Sequence, residues 1–225
     1  MDAGQAKRQY VARLESVIRQ MLKPLKGVPF NLVIEAMTGH RVIAFDDGKE
    51  DHRRLRDALV AGAISAGKAI NRSGIVSKRV NEVGNKIEPF VRDALNALPG
   101  ARADIPKAPS GKRKSAGYPD IEFTLGDTTC YIECKTFNPD TLNTTQRSFY
   151  FSPAADFKVT RDALHFLLSY EMTSQGGCYK TSRFKLLAIE SLSLDVKHEF
   201  NSDNHRLYSG NDGARLLAER EFSES

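Results

Sequence analysis

Two carboxylates and an ammonium group stand close together in the stretch GYPDIEFTLGDTTCYIECKTF: Asp120, Glu133 thirteen positions on, and Lys135. Strand alternation puts Ile121, Phe123 and Leu125 on one face and Asp120, Glu122 and Thr124 on the other. Beyond a Gly126-Asp127 turn, Cys130, Ile132 and Cys134 share a face, with Tyr131, Glu133 and Lys135 opposite. Two adjoining strands can thus bury apolar residues on one side and gather Asp120, Glu133 and Lys135 on the other. Clustering such charges is costly unless a cation or a partner compensates them. The chemistry this set suits is hydrolysis of a phosphodiester. Carboxylate oxygens at short range hold Mg²⁺, which keeps some of its waters and polarises both them and a phosphate. A lysine beside the metal orients the attacking water or, with a lowered pKa, helps to deprotonate it. The carbonyl of Cys134, between the two functional side chains, is a further candidate oxygen ligand.

Elements on either side must hold that hairpin in place. Tyr10, Leu14, Val17, Ile18 and Met21 predict a helix over 6–22, ended by Pro24, Gly27 and Pro29. FNLVIEA and HRVIAF read as a short β-hairpin at about 30–45. Helical spacing returns from Lys49 to Ile70, breaks over 71–74, and resumes from Val76 to Leu98. KAPSGKRKSAG, residues 107–117, reads as an exposed loop. The two strands, 118–125 and 128–137, follow. A helix is expected over 154–171 and a buried strand over 183–196. The order implies an α/β core with an N-terminal helical region. We divide it into a helical and hairpin region, 1–75, suited to DNA binding or dimerisation, and a catalytic core, 76–225.

Pro119-Asp120, the spacing to Glu133, and Cys134-Lys135 together resemble the PD-(D/E)XK nuclease superfamily, and most closely its type II restriction endonucleases. The resemblance implies a restriction-endonuclease-like fold, a mixed central sheet flanked by helices. It implies Asp120 and Glu133 as metal ligands and Lys135 as the catalytic lysine. Many members also use a glutamate on a preceding helix. VNEVGNKIEPFVRDALNAL offers Glu88, although Pro89 directly after it disfavours helical geometry there, which leaves Glu82 as the fallback. The expected activity is cleavage of double-stranded DNA with Mg²⁺, for which Mn²⁺ can substitute. Cutting both strands calls for two active sites, hence a twofold homodimer. A companion DNA methyltransferase acting on the same site is also implied. The rivals are a repair or junction nuclease of the same superfamily, and a DNA-binding protein without catalysis. The intact acidic set argues against the last, since a binder has no use for carboxylates facing phosphates.

Charge distribution fits a polyanionic partner. Residues 1–114 carry 22 Lys/Arg against 12 Asp/Glu, a net of +10, while 115–225 carry 11 against 16, a net of −5. Three groups are candidate DNA contacts: Lys112, Arg113 and Lys114 for phosphates, Arg72, Lys78 and Arg79 likewise, and Asn143, Gln146 and Arg147 for base edges. Three cysteines without CxxC spacing argue against disulfides and zinc and fit a reducing cytoplasm. No apolar run approaches the ~20 residues a membrane helix needs, and the N-terminus carries no export signal. Gly62 to Ala69 nearly spells a phosphate-binding loop. It lacks the Ser/Thr after Lys68 and continues a helix, so it reads as a small-residue helix face. His165 reads as a histidine at the core's edge, and Cys130 and Cys134 as buried thiols.

Overall fold

The computed structural model describes residues 3–23, 25–77, 83–111, 113, 117–138, 140, 149–153 and 156–197. It divides into two compact units. One joins residues 1–26 to the chain after Leu194; among its described residues are α1 (Ala3–Met21) and a backbone bond from Val196 N–H to the Leu25 carbonyl, 2.8 Å. The other unit, Gly27–Leu194, holds the site.

This larger unit is a seven-stranded mixed sheet with helices packed on it, a restriction-endonuclease-like α/β fold. Its strands are β2 (Val42–Ile43), β3 (Ile75–Val76), β4 (Ala101–Asp104), β5 (Ile121–Leu125), β6 (Thr128–Phe137), β7 (Ala163–Gln175) and β8 (Cys178–Ala188). The order is β3-β8-β7-β6-β5-β4, with β2 alongside the start of β7. Pairings are antiparallel except β6 with β7 and β2 with β7. A separate small ribbon pairs β1 (Val28–Pro29) with β9 (Ser193–Leu194).

Two apolar clusters flank the sheet. The larger packs α3 (Glu50–Ser73) and α4 (Val83–Asn96) onto Ile121, Phe123, Cys130, Ile132 and Cys134. Leu55, Leu59, Ala63, Ala66 and Ile70 form the buried stripe of α3 at three- and four-residue spacing. Glu50 and Asp51 in its first turn and Arg72 in its last complement the helix dipole. The small-residue face around Gly62 is explained by α4: a Cβ at Gly62 would lie 2.5 Å from Leu95 Cδ2, so glycine lets the helices approach. The smaller cluster joins Phe30 and Ile34 of α2 (Phe30–Thr38) to Tyr118, Tyr131, Val159 and Ile189.

Four expectations are corrected. Residues 30–38 form α2, not the first strand of a hairpin. Phe30 and Ile34 lie one helical turn apart and are both buried, and Gly39 caps the end at φ 75°. Of the helix expected over 76–98, Ile75–Val76 is strand and α4 begins at Val83 among the described residues. Residues 163–175 are strand β7, not helix. Leu164, Phe166 and Leu168 face the α3–α4 cluster while Ala163 and His165 are buried on the other side, so no alternation shows. The expected buried strand 183–196 is instead β8, largely half-buried or exposed, followed by the short β9.

Candidate active site

Strand β6 outruns β5. The last ladder pair is Ile121 with Ile132, and beyond it the Asp120 N–H still reaches the Ile132 carbonyl at 3.1 Å. Pro119, with no N–H to give, ends the pairing. A fork opens there, and on the β5 side the backbone of Cys134 has no ladder partner. Asp120 Oδ2 takes up the Cys134 N–H at 2.8 Å. A strand residue offers its N–H and C=O to the same neighbour, so the Cys134 carbonyl opens on the same fork.

Glu133 and Lys135 follow Tyr131 on one face of β6. Glu133 is only 4% exposed. Its Oε1 accepts a bond from Lys135 Nζ at 2.6 Å, and its Oε2 is buried with no hydrogen-bond donor among the described residues. Glu88 reaches the same place from α4, helical in spite of Pro89, which only removes the bond its N–H would make to Asn85. The structure thus brings together Asp120, Glu133, Lys135, Cys134 and Glu88. Glu82 lies outside the described residues.

Burial pushes the Glu133 carboxyl up to about 7, with repulsion from Asp120 adding to it and Lys135 opposing it. Glu88 is likewise raised to about 7 by burial and by Asp120. Burial raises Asp120 too, against the pull of the Cys134 N–H and of Lys135. Burial alone would lower Lys135, but Glu133 and Asp120 outweigh it and hold the ammonium protonated. The cluster is therefore short of positive charge, and a shared proton or a cation is the remedy. A divalent cation fits: the buried Glu133 Oε2, Asp120 and the Cys134 carbonyl are oxygen donors at one fork. Among the described residues no three His, Cys, Asp or Glu side chains form a ready cage. Mg²⁺ has no need of one, because it keeps several waters.

Sequence reasoning missed Lys158. It is 3% exposed, and Glu88, Asp120 and Glu133 all act on its charge. No local pattern marks it, because it lies on the crossover from β6 to β7 and is near the site only in three dimensions. A cleft of about 470 Å³ was also missed; Arg102, Lys107, Glu122 and Arg161 line it. Arg161 lies 3.4 Å from Glu122, which alternation puts on the side of Asp120. Arg113 pairs with Asp104 of that cleft at 2.7 Å. Arg72 instead ends α3 near β3, at the opposite edge of the sheet from β4. Lys78, Arg79, Lys112, Lys114, Asn143, Gln146 and Arg147 lie outside the described residues.

The floor behind the fork is aromatic. Tyr118 bonds His165 Nδ1 through its hydroxyl at 2.5 Å, and Phe30, Phe149 and Phe151 enclose the pair. Burial pulls His165 down to about 3 and keeps it neutral. Cys130 and Cys134 are buried thiols, raised by desolvation. No described helix is long and apolar enough to cross a membrane.

Comparison with known proteins shows the family. The family model of the type II restriction enzyme MjaV matches residues 24–211, which include every residue of the fork. The chain is 36% identical over 217 residues to the type II restriction enzyme MjaV of Methanocaldococcus jannaschii, covering 89% of this chain and 94% of that protein. No solved structure matches. With a fork of two carboxylates and a lysine inside the matched span, the chain belongs to the MjaV family of type II restriction enzymes.

Proposed function

We propose that this restriction endonuclease hydrolyses phosphodiester bonds of double-stranded DNA in a Mg²⁺-dependent reaction at the fork of Asp120, Glu133 and Lys135. The observation that carries the reading is the buried Glu133 Oε2, which has no donor among the described residues, on a carboxyl that Asp120 repels. Asp120, Glu133 and the Cys134 carbonyl are the ligands; Mn²⁺ suits the same oxygens. Bound there, the cation would polarise the scissile phosphate and an attacking water.

The protein's own groups do the rest. The Cys134 N–H fixes one oxygen of Asp120, which stops the carboxylate from swinging out of the fork. Glu133 holds Lys135 by its Oε1. That ammonium stays protonated, so it acts as a donor that orients the water and meets charge developing on the phosphoryl oxygens. Glu88 is a third acid placed to take up a proton as the cluster changes charge. Arg102, Lys107 and Arg161, with Arg113 at the rim, line a track for the DNA backbone beside Asp120. Lys112 and Lys114 contact phosphates as well, as do Arg72, Lys78 and Arg79, and Asn143, Gln146 and Arg147 read base edges. Cutting both strands calls for a homodimer, and in the cytoplasm a companion methyltransferase protects the same site on host DNA.

Digestion of a sequenced plasmid tests the reading. With Mg²⁺ or Mn²⁺ the protein should yield a fixed set of fragments whose ends map to one short sequence, and chelator should abolish them. Full cutting in excess chelator, or fragments without a common end sequence, would contradict it.

A further inference from the structure

The fork holds three acids, Glu88, Asp120 and Glu133, and its matched lysine accounts for one of them. Lys158 supplies a second ammonium by a route that is built rather than accidental. Thr160 donates its N–H to the Tyr131 hydroxyl at 3.0 Å, and Val159 packs in the cluster that contains Tyr118 and Tyr131. Tyr131 stands two residues before Glu133, and Tyr118 two before Asp120. The segment 158–160 is therefore pinned to the feet of both strands that carry the carboxylates. Lys158 itself is almost wholly enclosed.

Enclosing an ammonium group is costly unless an anion stays beside it. In the protein alone the three carboxylates serve, since each feels the charge of Lys158. A divalent cation bound between Asp120 and Glu133 would neutralise two of the charges that act on Lys158. The anion that enters the fork with the cation is a DNA phosphate. We propose that Lys158 is a second active-site lysine, which balances the carboxylates in the free protein and contacts the scissile phosphate once a divalent cation has taken them. This rests on the reading of the fork as a metal-dependent DNA-cleaving site.

Two readouts besides cleavage test it. The first is calorimetric titration of the DNA-free protein with Mn²⁺. Lys158→Met removes a cation that competes for the carboxylates, so it should bind Mn²⁺ several-fold more tightly, whereas unchanged or weaker binding would overturn the balancing role. The second is binding in Ca²⁺ to a duplex carrying the mapped site, with the scissile phosphate either natural or replaced by an uncharged methylphosphonate. The replacement should weaken the wild type by about tenfold or more, the loss of one charged hydrogen bond. It should weaken Lys158→Met clearly less, since that variant keeps only the contacts of the cation and Lys135 with this phosphate, and Lys158→Arg should recover much of the wild-type sensitivity. An equal loss in wild type and Lys158→Met would overturn the phosphate contact. Should Lys158→Met not fold, the wild type alone decides: equal binding to both duplexes overturns the proposal. A wild type that cuts no DNA with Mg²⁺ would instead overturn the reading beneath it, and one that cuts while Lys158→Met cuts equally well would overturn only the role of Lys158.

Discussion

The two sides of the β5–β6 hairpin come from the same sixteen or so residues and are used in opposite ways. On the α3–α4 side, Ile121, Phe123, Cys130, Ile132 and Cys134 are apolar and sealed. On the other side Glu133 is buried with one oxygen lacking a donor among the described residues, and Lys135 and Lys158 are drawn in beside it. Burying charge this way costs stability where apolar residues would add it. Only one side therefore repays the hairpin's packing in stability. The other side makes sense when a cation and a phosphate complete it, and the apolar side is what keeps it rigid meanwhile.

Variants on the two sides should consequently fail in different ways. Glu133→Gln should lower cleavage by about three orders of magnitude, since a ligand of the charge-stabilising cation is gone. Its unfolding midpoint should stay level or rise, because a buried charge without a full set of partners has been removed. Chemical denaturation beside single-turnover cleavage checks both halves, and a large loss of stability would break the contrast. Ile132→Ala on the sealed side should do the reverse. It should cost about 2–5 kcal/mol of stability through the cavity it leaves, while the folded fraction at low temperature still cuts at near wild-type rate.

A smaller effect, set by pH, comes from the aromatic floor. His165 is held neutral down to about pH 3, whereas the unfolded chain protonates it near 6.5. Its contribution to stability is intact above pH 6.5 and is lost progressively as pH falls from there towards 3. At pH 5 the loss amounts to about 2 kcal/mol. Glu133 and Glu88, raised to about 7, act in the opposite sense as pH falls. The difference between wild type and His165→Gln isolates the histidine: stability curves of the two proteins should converge from pH 7 to pH 5. Curves that stay parallel would show that His165 takes a proton in the folded state.

Legibility in the sequence followed the same division. The β5–β6 hairpin could be read because its pattern is local: alternation, a Gly126-Asp127 turn and Pro119-Asp120 sit within 21 residues. Glu88 could be read from the apolar stripe of α4, and the doubt raised by Pro89 dissolved because the helix absorbs one missing bond. Strand β7 could not, because both its faces are covered and LHFLLSY carries neither period. The nine residues of α2 were too few to outweigh their strand-like composition, and only Gly39 marked the end. Lys158, Arg102, Lys107 and Arg161 come to the site through the crossover and the sheet edge, which no spacing along the chain reveals.

Lys135 decides whether the fork is an active site, because its side chain is half open and contributes little to the sealed side. Single-turnover cleavage of the mapped duplex by Lys135→Ala, alongside its binding in Ca²⁺ and its unfolding midpoint, puts the matter most directly. Cleavage should fall at least about a hundredfold, as when a preorganised donor to developing charge is removed, with binding and midpoint close to wild type. Cutting at the wild-type rate by this variant would contradict the assignment of the fork as the site of chemistry.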